Sequence, residues 1–322
     1  DQARLSAGHP REARYRLLRL SPVAERSIDT LDFASSLAEL RAGGARLLTI
    51  RPADDPAEAL LELPDGDRVR LRRTPVALSR GDDAHGWHTG RAGMHYRDLI
   101  PDRWDGRFVA SHIAVPAGGE VPDDVHFHDV RFQFLAVRHG WVRLVYEDQG
   151  DPFVMEAGDV VLQPPTIRHR VLETSPGFEI VEVGAPADHL TTLDHGLALP
   201  NGTGDADREW AGQRFVHYRA GSGAPVAFDA PGFSALDTGI GAATNGVVEV
   251  RMVSAGDGAF ADPVEAEFRF MFVMDGSVSV TFADGTGRRL SGGDSLAAPA
   301  VAGAVLADPS TDCVLLDVVV PR

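Results

Sequence analysis

A single cysteine, four tyrosines and four tryptophans stand in a chain of 322 residues. Cys313 has no partner for an internal disulfide, and its place just ahead of the apolar run 314–320 predicts a buried thiol. No apolar run approaches the roughly 18 residues of a membrane helix, so no membrane partner is expected. The opening residues, Asp1 to Glu12, are polar and lack the apolar segment of a secretory signal, which predicts a cytoplasmic location. Basic residues are also scarce, 31 against 47 acidic, for a formal net charge of −16. Such a surface repels phosphate backbones and argues against nucleic acid as a partner.

What the chain has in quantity is turn formers, 34 glycines and 21 prolines. Between them lie short apolar segments: Phe108 to Val115, Val130 to Val137, Trp141 to Tyr146, Pro152 to Met155, Val160 to Gln163, His169 to Leu172 and Phe178 to Val183. Short strands punctuated in this way predict an all-β sandwich or barrel, and the length allows two of them. Ahead of these strands, residues 1 to about 30 read as a polar, Arg-rich arm anchored by Leu5, Tyr15, Leu17, Leu18 and Leu20. Thr30 or Asp32 can cap a helix from Phe33 to Arg41 that ends at Gly43-Gly44. Strands are expected at Ala45 to Arg51, Ala59 to Leu63 and Val69 to Leu78, as a layer added to the first barrel.

The residues capable of chemistry concentrate between Val125 and Glu173. In an extended strand, His126-Phe127-His128 aims two imidazoles to one side and Phe127 to the other, which is chelating geometry. Four residues separate His128 from Gln133 and six separate Gln133 from Gly140; five separate Gly158 from Pro164, and four more precede His169. These landmarks resemble those of the cupin family, whose motifs read G-x5-H-x-H-x3,4-E-x6-G and G-x5-P-x-G-x2-H. The chain departs from them in placing Gln133 where the family has Glu, Thr166 where it has Gly, and Glu120, just after Gly118-Gly119, where the opening Gly belongs. The resemblance implies jelly-roll barrels and one divalent transition metal held by His126, His128 and His169, with Gln133 in the slot of a further ligand.

A repeat extends the reading to the second half. Phe268-Arg269-Phe270 and Gly276 match Phe132-Gln133-Phe134 and Gly140, while Gly293-Asp294 and Pro299 match Gly158-Asp159 and Pro164. Across this repeat His126 falls on Asp262, His128 on Val264, Gln133 on Arg269 and His169 on Ala304, so the second barrel is expected to be metal-free and structural. The chain then divides into an arm and added strands over 1–104, a metal-binding cupin over 105–185, a linker over 186–212 and a degenerate cupin over 213–322.

Three neutral imidazoles suit Fe, Zn, Ni or Cu, and Mn also falls within the range the family implies. Fe(II) is the first expectation. Without the usual Glu the metal keeps nearly two positive charges, which favours an anionic or chelating small substrate; Gln133 either joins the ligands through its amide oxygen or braces the barrel wall. Asp129 has the outward parity of Phe127 and is a poor substitute. Arg131, two residues before Gln133, shares its face and should either bind substrate or pair with an acid such as Glu120 or Glu173. His112 is placed on a strand entering the barrel, as acid, base or satisfied core residue, and Gln163 and Val171 are expected at the pocket. His85, His88 and His95 lie on or beside a loop and are weak candidates for the site. By resemblance the first functional expectation is an Fe(II)-dependent dioxygenase; the alternatives are a non-redox lyase, isomerase or hydrolase, or a non-catalytic binding cupin. The two barrels of one chain already satisfy the family's habit of pairing, which leaves a homodimer open.

Overall fold

The computed structural model describes residues 25–321, apart from 75, 84, 85, 102, 264, 265, 300 and 301. The expected arm before residue 25, its Leu and Tyr anchors, His85 and Val264 therefore lie outside the described residues. Two compact units are present, dividing between Arg73 and Thr74.

The first unit is a four-stranded sheet with a helix. Strands Glu25–Thr30 and Arg68–Arg73 run parallel, and Glu58–Glu62 and Arg46–Arg51 complete the order antiparallel. The helix Phe33–Ala42 starts where Asp32 accepts a hydrogen bond from the Ser35 backbone N–H at 3.0 Å and stops at Gly43. Phe33, Ala45, Ala59, Leu61 and Leu71 form its own small core. These strands thus make a separate sheet instead of extending a barrel. The expected strand from Val69 to Leu78 breaks after Arg73, and its last part, Ala77–Ser79, joins a different sheet.

The second unit carries an all-β cupin fold built twice. In the first barrel, a seven-stranded sheet contains Phe132–His139 between Val160–Leu162 and Phe178–Ala185, followed by Val109–Val115, His95–Asp98 and Trp87–Thr89. The facing sheet contains Trp141–Tyr146, His169–Thr174 and His126–His128, with Thr191–Leu193 at its edge. Alternation along Phe132–His139 sends Leu135 and Val137 into the barrel with Val142, Leu144 and Met155. It sends Phe132, Phe134 and Ala136 outward, where they meet Phe268, Phe270, Phe272 and Leu316 of the second barrel in one continuous core. Each of these phenylalanines is fully buried, worth about 1.5–3 kcal/mol apiece by transfer from water.

The barrels also exchange strands. Ala77–Ser79, ahead of the first barrel in the chain, pairs with Ser295–Ala298 of the second, and Val216–Tyr218, from beyond the linker, pairs with Val160–Leu162 of the first. Gly140 closes the tight turn after Phe132–His139 at φ +72°, where a Cβ would collide with Ser175 Oγ. The β-branched Thr166 holds φ +66°, the left-handed conformation for which the related motif uses glycine. Among the described residues, no helix is long and apolar enough to cross a membrane.

Candidate metal centre

The pairing of strands brings the three motif histidines together. His126 lies directly opposite His169 in the antiparallel ladder, and His128 is two residues along the same strand, on the same face. One ring nitrogen from each lies within 4.8 Å of the other two, and among the described residues no other three His, Cys, Asp or Glu side chains converge in this way. The Nδ1 atoms are all occupied: His126 Nδ1 lies 2.8 Å from the Asp124 carbonyl, His169 Nδ1 3.0 Å from the Ile167 carbonyl, and His128 Nδ1 3.0 Å from Thr191 Oγ1. Nδ1–H donating to these oxygens leaves Nε2 of each ring with a free lone pair, the arrangement that outer partners impose on metal-bound histidines. Burial is the largest cause lowering all three pKa values, His128 to about 3, and it keeps the imidazoles neutral. A neutral donor set with fixed tautomers fits a divalent transition metal.

The histidines open onto a cavity of about 330 Å³ inside the first barrel. Its mouth is formed by His88, Gly90 and Arg91 on one side and His189 and Thr191 on the other. Gly90 is needed there because a Cβ would lie 2.6 Å from the Tyr96 ring. Arg91 Nη2 donates to Asp123 Oδ1 at 2.5 Å, and Asp123 Oδ2 accepts from the Val171 backbone N–H at 2.9 Å, tying the mouth to the strand that carries His169. Glu182 also lines the cavity. Burial raises its pKa, against the charges of His189 and Arg91 and a hydrogen bond from Gln133.

The other sequence candidates are dispersed. Arg131 does not line the cavity: it is exposed and pairs with Glu267 at 3.3 Å. The parity argument fails for it because the strand begins only at Phe132, so alternation does not reach back to residue 131. His112 also misses the cavity, since its neighbour Ile113 takes the inward position. Its Nε2 lies 2.9 Å from Glu179 and its Nδ1 3.2 Å from Arg97, and its ring packs against Trp87 and against Phe272 of the second barrel. It is a satisfied histidine of the core between barrels. Gln133 shares the inward parity of Leu135 and Val137, is 1% exposed and does not line the cavity, and its Oε1 lacks a protein partner. Gln163 and Val171 do line the cavity, and so does His88, whereas His95 lies outside it. Sequence reasoning missed Glu182, His189, Thr191, Arg91 and Asp123. The parity of Glu182 with Ile180 on an apolar strand was its one available signal; the others stand in loops or at an edge, with no motif around them.

In the second barrel, the position matching Gln133 is filled by an ion cluster. Arg269 pairs with Asp229 and donates from Nε to Asp317 at 2.9 Å, and Arg251 Nη2 reaches Asp317 at 2.7 Å. Burial opposes the Arg269 charge, but the two carboxylates outweigh it and raise the pKa.

Fold and site thus define a double-barrelled cupin fold with a converging histidine triad in its first barrel. Among solved structures the chain is similar to a formate complex of oxalate decarboxylase from Lactobacillus farciminis, at 14% identity and a TM-score of 0.54, over 76% of this chain and 86% of that one. It is also similar to a variant of Bacillus subtilis oxalate decarboxylase, at 12% identity and a TM-score of 0.50, over 76% of this chain and 77% of the other. These likenesses concern the fold. No family model matches the chain, and no curated relative does.

Proposed function

We propose that the protein is a mononuclear metal-dependent enzyme that acts on a small organic molecule bound in the first-barrel cavity. The observation that carries this reading is the set of three Nδ1 atoms anchored to Asp124, Ile167 and Thr191, which leaves three Nε2 atoms to share one ion. Bound there, a divalent metal supplies Lewis acidity to a ligating oxygen and, as Fe(II), redox chemistry with dioxygen. The chain's own residues do the rest. The barrel wall surrounds the reacting group, and Glu182 as carboxylate can take a proton from a ligating hydroxyl and, once protonated, return it to product. Burial raises the Glu182 pKa, which favours the proton-holding form. Gln133 acts in this reading by positioning Glu182 through their hydrogen bond.

An Fe(II)-dependent oxygenase remains the first reaction class, because an all-histidine set leaves further positions for substrate and dioxygen. A non-redox lyase is the second, favoured by the likeness of fold to oxalate decarboxylases and by a proton-holding acid at the cavity. The second barrel is proposed to carry no metal, since Arg269 and its carboxylates take the corresponding place. Protein reconstituted anaerobically with Fe(II) should hold about one metal per chain, and His128→Ala should lose it; two metals per chain would overturn the assignment of an empty second barrel. An oxygen electrode with keto acids, diketones and catechols separates the reaction classes: turnover without oxygen uptake removes the oxygenase reading.

A further inference from the structure

Beyond the histidines, the polar mouth, Gln163 and Glu182, the cavity wall is largely apolar. Ile113, Leu135, Val142, Leu144, Phe178 and Ile180 supply it from both sheets. A volume of about 330 Å³ accommodates roughly ten non-hydrogen atoms, if each takes about the 30 Å³ share of a liquid water. That exceeds the six of a minimal dicarboxylate. The chain contains no lysine. Among the described residues Arg91 is the one arginine at the cavity, and its Nη2 is engaged by Asp123 at 2.5 Å and by the Asp124 carbonyl at 3.4 Å. A second anionic group on the substrate, placed away from the mouth, would face an apolar wall, the neutral Gln163 amide or the Glu182 carboxyl, and a charge left unpaired there is costly.

We propose that the site selects a chelating molecule with one oxygen-donor head, at most one negative charge and an apolar body that fills the space between Leu135, Val142 and Ile180, and that it discriminates against small dianions. This rests on the metal-site reading above and adds the substrate class. The apolar body gains by leaving water for that wall. Small dianions gain nothing from that wall.

The test uses the full chain loaded with Zn(II), which is redox-silent, and isothermal titration with acetohydroxamate, benzohydroxamate and oxalate. The two hydroxamates share one chelating head and differ only in the body. Benzohydroxamate should bind at least about tenfold tighter than acetohydroxamate, and tighter than oxalate. Ile180→Phe and Val142→Phe, which occupy the space, should shrink that ratio. Equal affinity of the two hydroxamates, or oxalate as the tightest ligand, overturns the proposal, and the unmodified protein decides this even where a variant fails to fold. Failure to retain Zn(II) at all sinks the metal-site reading instead, so the two failures are distinguishable.

Discussion

Replacing Thr191 by valine keeps the side chain's shape and removes the hydroxyl that is hydrogen-bonded to His128 of the triad. Thr191 sits in the edge strand Thr191–Leu193, paired with His128 across the ladder, and its Oγ1 lies 3.0 Å from His128 Nδ1. Coordination through Nε2 requires the tautomer in which Nδ1 carries the proton, and Oγ1 is the acceptor that stabilises this tautomer and fixes the ring plane. Losing such an outer partner weakens metal affinity by about 10–100-fold, or roughly 1.4–2.7 kcal/mol. Thr191 is exposed, so fold stability should move by less than about 0.5 kcal/mol. Metal competition against a chromophoric chelator, run beside a denaturant melt of the metal-free protein, measures the two quantities separately. Thr191→Ser restores the acceptor and should recover most of the affinity. Wild-type metal affinity in Thr191→Val would refute the idea that this hydroxyl orients His128; an equal fall in the stability of the metal-free protein would make its role structural.

Two further outcomes follow from buried charge. Asp317 is fully buried between Arg251 and Arg269, so Asp317→Ala leaves two guanidiniums short of a partner. It should cost about 3–5 kcal/mol and lower the melting temperature by roughly 10 °C, with metal content unchanged; a loss below about 1 kcal/mol would show that the cluster is not holding the second barrel. In the metal-free protein, the raised pKa of Glu182 means that the folded state holds its proton longer than the unfolded chain does. That contribution to stability is complete below the ordinary value of about 4.3 and is lost as pH rises through the folded value, by up to about 1.36 kcal/mol per pH unit. Glu182→Gln should flatten this slope in pH-dependent melts, and parallel profiles for the two proteins would place the carboxyl in water.

The all-β pattern, the strand positions of the first barrel and the spacing of His126, His128 and His169 were legible because each depends on neighbours within a few residues: alternation along a strand, a glycine at a turn, two imidazoles on one side of a short segment. Parity alone, however, says neither where a strand begins nor which face looks inward. Arg131 falls just before its strand and points to solvent, and His112 takes the face turned to the other barrel. The acid in the cavity, the hydroxyl on His128 and the Arg91–Asp123 pair at the mouth come from segments that meet only when the two sheets close. The exchange of Ala77–Ser79 and Val216–Tyr218 between barrels was equally hidden, since pairing an exposed sheet edge depends on which edge lies within reach and not on the order of residues along the strand.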